Sequence, residues 1–143
     1  NVVNAELAAE NRGVAVVEGK VNGEDRVNRI SLRVYSGEKV FTAAGTVAPD
    51  NTPHITELQG YAFDVVPAPY MLLAKNDDKP GMIGQIGTLM GAAHVNIATM
   101  KVDRDMDKGS AMMVMTVDST VDKSTLQIVA GLDGINSADF VKL

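Results

Sequence analysis

The segment over residues 70–93 constrains the fold most, because it joins an apolar strand to an amphipathic helix through a short turn. A strand predicted over Tyr70–Lys75 ends in the small polar residues 76–78. Pro80 stands where the helix begins, and proline is tolerated in a first helical turn because the amide that it lacks would have no intrahelical partner there. Apolar residues then recur at the three- and four-residue spacing of an amphipathic helix: Met82, Ile83, Ile86, Leu89, Met90 and Ala93.

The turn between this strand and this helix predicts a binding site. The helix start presents free backbone amides over Gly81–Gly84, and such amides attract anions. Asp77 and Asp78 precede them, and their carboxylates attract cations. A zwitterion such as a free amino acid suits both, so these residues indicate ligand binding. The simpler alternative is that the two aspartates only form the turn.

The remainder of this half predicts an α+β fold. Two strands, Ile97–Val102 and Ser110–Val117, are joined by a polar turn at 104–109. A second helix follows over residues 126–132, and Phe140–Leu143 reads as a closing strand. The order βαββαβ predicts a ferredoxin-like module, in which two helices cover one face of a four-stranded antiparallel sheet.

The strand over residues 111–117 is largely apolar on both of its alternating faces. One face is expected to meet the helices. The other face, or the sheet edge, is expected to meet another domain or subunit, and self-association is the most economical explanation.

Residues 1–69 read as a smaller α+β unit with antiparallel strands. Asn4 can N-cap a short helix over Ala5–Asn11, and Gly13 is placed to end it. Apolar and polar residues alternate over Arg29–Tyr35, which is the period of a half-buried strand. The predicted strands are Ala15–Val21, Arg29–Tyr35, Lys39–Val47, His54–Gln59 and Phe63–Val66.

Two prolines mark a boundary between these halves. Neither Pro67 nor Pro69 can donate to a sheet ladder, so we expect one domain over residues 1–69 and another over residues 70–143. The first residue is Asn1, and the missing initiator methionine suggests a piece of a longer chain.

Composition excludes several functional classes. The net charge of −5, with scattered basic residues, argues against a nucleic-acid partner. The absence of cysteine removes disulfides, thiolate catalysis and zinc–thiolate sites, and it agrees with a cytoplasmic protein. The longest apolar runs fall far short of the roughly 18 residues that a membrane span needs.

Other motif-like patterns favour structural interpretations. The glycines at 81, 84 and 87 do not have the spacing of a dinucleotide-binding turn, and close backbone packing on one helix face (84, 87 and 91) is the better interpretation. The aspartates at 103, 105 and 107 lack the glycine and glutamate that a calcium loop requires, which favours a hairpin turn. The methionines read as core residues, and the two histidines, His54 and His94, have no nucleophile partner, so no catalytic set is recognisable.

Two motifs within residues 78–98 resemble those of a known protein family. Asp78-Lys79-Pro80-Gly81, followed by Ile83-Gly84, is similar to the Asp/Asn-Arg/Lys-Pro-Gly turn of ACT domains, which bind amino acids between paired copies. Val95-Asn96-Ile97-Ala98 resembles the Val-Asn-Ile strand entry of the same family. Residues 70–143 therefore resemble an ACT domain.

Residues 1–69 resemble the intervening, allosteric substrate-binding domain of long-form D-3-phosphoglycerate dehydrogenases, in partial form. The similar stretches are Val3-Asn4-Ala5, Leu7-Ala8 with Glu10-Asn11-Arg12-Gly13-Val14, Ala44-Gly45-Thr46, and Gln59-Gly60-Tyr61-Ala62-Phe63-Asp64. Their order along the chain is more specific than any one of them.

The resemblance implies a regulatory region without its catalytic half. In that family L-serine, the end product, binds at ACT interfaces and inhibits the distant NAD-dependent enzyme. This region would then carry no catalysis and no cofactor, NAD belonging to the missing half, and it would form a homodimer or a higher homo-oligomer. Carried over by position, the L-serine site comprises Asn76, Asp78, Pro80, Gly81, Met82, Ile83, Gly84 and Asn96, the last supplied by the neighbouring subunit.

The chain departs from the family pattern at two places, and two alternatives to this interpretation stay open. Asn76 stands where the family often has His or Tyr, and the stretch 47–63 lacks the Lys and Arg that hold anions in some relatives. One alternative is the regulatory region of an L-serine dehydratase. The other is an ACT assembly module that binds no ligand.

Overall fold

A computed structural model describes residues 4–19 and 28–143. Its helices and strands are α1 (Ala5–Glu10), β1 (Arg29–Ser36), β2 (Lys39–Val47), β3 (Pro53–Leu58), β4 (Tyr61–Val65), β5 (Tyr70–Asp77), α2 (Met82–Ala92), β6 (Ile97–Asp105), β7 (Ser110–Val117), α3 (Lys123–Ala130) and β8 (Ile135–Lys142).

The second half forms an antiparallel sheet in the order β6-β7-β5-β8, with one helix in each crossover. This order, together with the βαββαβ sequence of elements, confirms the predicted α+β class and the ferredoxin-like module. Alternate residues of β5 and β7 face the helices, because side chains in a strand alternate between its two faces. They build a core around Leu72, Ile86, Met113 and Val129.

Several strand ends differ from their predicted positions, and three of these differences have a clear local cause. Gln59 has a positive φ of 51° and therefore ends β3 at Leu58. β6 continues to Asp105, beyond the predicted Val102, because its last polar residues still pair with the start of β7. β8 begins at Ile135, five residues before the predicted Phe140, because its polar half pairs with β5 at the sheet edge.

The first half forms a second antiparallel sheet in the order β1-β2-β3-β4. The predicted hairpin between β1 and β2 is present, with Gly37 at a φ of 59°. The strand predicted over Ala15–Val21 is wrong for residues 15–19, which are irregular, and its last two residues lie outside the described range. The run is apolar enough for a strand, but its described part pairs with none of the four strands.

The short helix α1 ends as expected but begins differently. Gly13, at a φ of 70°, donates its amide to Glu10 O at 2.9 Å and stops the helix. The predicted N-cap is wrong in its chemistry, because the Asn4 side chain accepts no capping hydrogen bond.

The two sheets pack against each other, and this contact covers the second apolar face of β7. Val65, Met71 and Val114 form a buried cluster between them. Tyr61 Oη lies 2.7 Å from Ser110 Oγ, and the Ala62 amide donates to Asp103 Oδ2 at 2.7 Å. The expected contact with another part of the protein is therefore made within one chain, and self-association is not needed to explain this face.

The strand β1 is not half-buried as its alternation predicts. Ile30, Leu32 and Val34 are 71%, 61% and 55% exposed, because no described segment packs on this side of the first sheet. The interpretation of the helical glycines is also wrong, since a Cβ at Gly84, Gly87 or Gly91 would meet no described atom within 4 Å. Among the described helices, none is long and apolar enough to cross a membrane.

Replacing Gly45 by alanine is expected to destabilise the first sheet. A Cβ at this position would lie 2.9 Å from the carbonyl oxygen of His54, at an irregularity in the pairing of β2 with β3. The backbone must shift to relieve the clash, so we expect the free energy of unfolding to fall by about 1–3 kcal/mol.

The matched control for this substitution is Gly91→Ala on α2, where an added Cβ would meet no described atom within 4 Å. Alanine in a helix is favoured over glycine by up to about 1 kcal/mol, so this variant is expected to be no less stable than the parent chain. Urea denaturation of the two variants compares them directly, and equal stabilities would contradict the predicted close approach of His54.

Candidate functional site

One end of the ferredoxin-like sheet brings polar residues of two strands to either side of a third strand. Asn76 of β5 and Arg104 of β6 both stand opposite Ala111 of β7 in the strand register. Because Ala111 occupies the strand position between them, these three residues form one row across the sheet. The row lies where β5 ends and the turn into α2 begins.

Asn76 is buried with an unsatisfied acceptor. Its side chain is only 3% exposed, and its Nδ2 donates to the carbonyl oxygen of Asp77 at 2.6 Å. Its Oδ1 is also buried and accepts no hydrogen bond from any described residue. A buried acceptor without a donor is costly and rare in folded proteins, so it marks a place where a further donor can bind.

Asp78 forms an ion pair with Arg104. The Arg104 Nε donates to both carboxylate oxygens, at 2.8 and 2.9 Å, and its Nη2 lies 2.7 Å from Oδ2. The backbone amide of Asp78 donates to Gly109 O at 2.9 Å, which ties the turn to the β6–β7 hairpin. This carboxylate is therefore held in place and its charge is already paired.

Arg104 is a site residue that the sequence patterns do not reveal, because it falls in the predicted polar turn at 104–109. The signal for it lies in the hairpin register. Pairing Asp105 with Ser110 at the hairpin end places Arg104 opposite Ala111, and hence in the row that contains Asn76.

The second predicted carboxylate does not join the first. Asp77 accepts from Asn136 Nδ2 at 3.2 Å and lies 3.7 Å from Lys79 Nζ, both on the β8 side of the sheet. Asp78 faces β6 instead, so the prediction of two carboxylates in one pocket is wrong. Lys79 bonds Asp133 at 2.9 Å, and this hydrogen bond, followed by the charges of Asp133 and Asp77, raises the pKa of the lysine.

The helix start is open for an anion. Gly81 caps α2 with a left-handed φ of 93° and has no side chain to bond the first-turn amides. Met82 and Ile83 follow; the Met82 side chain is buried in the core, while Ile83 is exposed. Only the backbone amides of these two residues can therefore serve a polar ligand. Gly84 lies farther along α2 and lines the apolar groove between α2 and α3.

Asn96 lies at the other end of the sheet. It precedes β6, whose first residue pairs with Val117, and its Nδ2 donates to Asp118 Oδ2 at 2.6 Å. Arg104 follows it by eight positions of extended strand, a span of about 25 Å at the usual rise per residue. One chain therefore brings Asn76, Asp78 and the start of α2 together, and it leaves Asn96 apart.

The described residues do not form a metal site of three or more His, Cys, Asp or Glu side chains. The calcium-like aspartates are engaged in the hairpin, since Asp103 accepts from Ala62 and Asp105 accepts from the amide and Nζ of Lys108. The hydrogen bond from Lys108 is the main cause that lowers the pKa of Asp105. This geometry favours the hairpin turn that the sequence predicts.

Comparison with known proteins identifies both halves of the chain. Residues 70–134 match the family model of the ACT domain, and residues 1–59 match that of the D-3-phosphoglycerate dehydrogenase intervening domain. The whole chain aligns with proteins named D-3-phosphoglycerate dehydrogenase, at 31% identity in Methanocaldococcus jannaschii, 34% in Synechocystis sp. and 35% in Archaeoglobus fulgidus.

The chain spans only 27%, 26% and 28% of the length of these three relatives. The matches are therefore confined to one region of those proteins. Residues 1–59 match the intervening domain, and residues 70–134 match the ACT domain. The chain belongs to the D-3-phosphoglycerate dehydrogenase family and corresponds to its regulatory region.

Proposed function

We propose that this chain is a feedback-regulatory region that binds L-serine between two ACT units. Residues 1–69 and 70–143 form its two domains, and the protein to which it belongs is an NAD-dependent dehydrogenase of serine biosynthesis in the cytoplasm. The dehydrogenase activity follows from the names of the relatives, and NAD would bind outside this chain.

The observation that carries the proposal is the buried, unpartnered Oδ1 of Asn76. It lies in the strand row that also contains Arg104, the ion-pair partner of Asp78, and just before the open helix start at Gly81. An amino acid has an ammonium group to donate to Asn76 and Asp78, and a carboxylate to accept from the amides of Met82 and Ile83. The hydroxyl of L-serine adds one more donor for Asn76.

A second copy of the chain completes the site through β6. This strand is at the sheet edge, and within the sheet it pairs only with β7. Antiparallel pairing of two β6 strands around a two-fold axis would set Ile97 of one copy opposite Asp105 of the other. Asn96 of the partner subunit then comes to the end of the sheet that holds Asp78 and Arg104.

In this arrangement the remaining site residues have defined parts. Pro80 and Gly81 shape the turn that points the amides of α2 at the ligand, and Gly84 adds no side chain to the first turn of α2. Asn96 of the partner subunit can donate to the ligand carboxylate and accept from its ammonium group. Binding would then hold two subunits together, which couples the ligand to the conformation of the assembly.

Calorimetric titration with L-serine tests the proposal. We expect saturable heat with the parent chain and none with D-serine. Asp78→Ala or Asn96→Ala is expected to lower the affinity by at least tenfold and to abolish the measurable heat, because each removes a charged or bidentate partner of the ligand. Glycine and L-alanine serve as controls for the hydroxyl. The absence of heat in a sample shown to be folded and dimeric would contradict serine binding.

A second candidate is an assembly module that binds no ligand. The Arg104–Asp78 ion pair favours it, because the carboxylate assigned to the ammonium group already has a cationic partner. A folded dimer with no heat from any amino acid would support this candidate over the serine site.

A further inference from the structure

The ion pair at Asp78 has a regulatory consequence if the proposed serine site is correct. We propose that Arg104 is an internal competitor of the ligand: its guanidinium occupies the carboxylate that the ammonium group must use, and the amino acid binds by displacing it. Arg104 then determines how much ligand is needed before the site fills.

The geometry of the pair places Arg104 in direct competition. Its Nε bonds both oxygens of Asp78 and its Nη2 lies 2.7 Å from one of them, so the guanidinium engages the whole carboxylate. The Asp78 side chain is only 20% exposed, whereas that of Arg104 is 60% exposed. A second cation that is to bond both oxygens of Asp78 must therefore take the place of the guanidinium.

The exposure of Arg104 also makes its displacement feasible. A guanidinium that is mostly in water loses little solvation when it moves away, and exposed ion pairs are weak. An ammonium group brings the same charge to Asp78, and its further protons are donors of the kind that the buried Oδ1 of Asn76 lacks. Arg104 does not satisfy that acceptor, so the exchange gains a hydrogen bond that the ion pair lacks.

Competition of this kind predicts a gain of affinity when Arg104 is removed. In titrations with L-serine, Arg104→Gln is expected to bind about fivefold more tightly than the parent chain at low salt, the upper range for an exposed ion pair. The advantage is expected to shrink as the ionic strength rises, because salt screens the competing pair. Arg104→Lys keeps a cation but loses the planar fork, so its affinity is expected to lie between the two.

The matched control is Arg33→Gln, which removes the same charge from an exposed position on β1, far along the chain from the site. Its affinity is expected to equal that of the parent chain. Thermal unfolding and sedimentation of each variant confirm that fold and dimer are kept.

The outcomes separate this inference from the proposed function. Serine binding that Arg104→Gln leaves unchanged or weakens would overturn the competitor role, while the serine site itself would stand. A weakened affinity would mean that the guanidinium contacts the ligand carboxylate. Failure of every chain, including Arg104→Gln, to bind L-serine would overturn the proposed function and the competitor role together.

Discussion

A mixture of Asp78→Ala and Asn96→Ala chains is expected to bind L-serine, although neither chain does so alone. The reason is the distance within one chain: Asn96 precedes the first residue of β6, whereas Asp78 bonds Arg104 near its last. If the partner subunit supplies Asn96, each site combines Asp78 of one chain with Asn96 of the other. A mixed dimer then contains one intact site.

The size of this effect follows from random assortment. Half of the dimers in an equal mixture are mixed, and each has one intact site of two, so about one quarter of all sites are expected to be restored. Calorimetry after subunit exchange, or after co-expression of the two chains, measures the number of L-serine sites per dimer. Each variant alone, for which no binding is expected, is the baseline.

The matched control mixes Asp78→Ala with Asn76→Ala. Both changes lie on the same side of the proposed interface, because Asn76 and Asp78 belong to the same turn of one chain. No mixed dimer then contains an intact site, and no binding is expected. Restored binding in this control, or none in the first mixture, would contradict the assignment of Asn96 to the partner subunit.

The second large effect is expected for Leu72→Ala in the core. Leu72 is fully buried in β5, among the cluster that joins the sheet to α2 and α3. Truncation removes apolar contacts and leaves a cavity that the surrounding strands cannot close, so the free energy of unfolding is expected to fall by about 2–5 kcal/mol.

The exposed Leu7 offers the same substitution as a control. Its side chain is 58% exposed on α1, and Leu7→Ala is expected to change the free energy of unfolding by less than about 0.5 kcal/mol. Urea denaturation at one protein concentration compares the two variants, because a dimer makes apparent stability depend on concentration. Similar losses at both positions would contradict the placement of Leu72 in the core.

Local chemistry made most of the ferredoxin-like half predictable. The run of Met82, Ile86 and Met90 has the helical spacing, and the structure buries these three side chains in α2. The strand over Ser110–Val117 is apolar on both faces, and it is buried along its whole length. Such patterns involve only residues that are close together in the chain, so they can be read directly from the sequence.

The errors have a common physical cause in contacts between distant residues. The alternation of β1 predicts a buried face, but burial needs a covering segment, and none of the described segments supplies one. Asp77 and Asp78 are neighbours in the sequence, yet they bond Asn136 on one side and Arg104 on the other. Which side each carboxylate takes depends on the strands that flank β5.

The sequence alone determined the type and order of the elements over residues 70–143, because strand and helix periods, the Pro80-Gly81 turn and the apolar runs are local properties. Only the tertiary structure decided the composition of the site. The pairing of Asp78 with Arg104, the unsatisfied Asn76 acceptor and the separation of Asn96 all depend on the register of β5, β7 and β6. Register joins residues that are far apart in the chain, and the free energy that selects it comes from packing across the whole sheet.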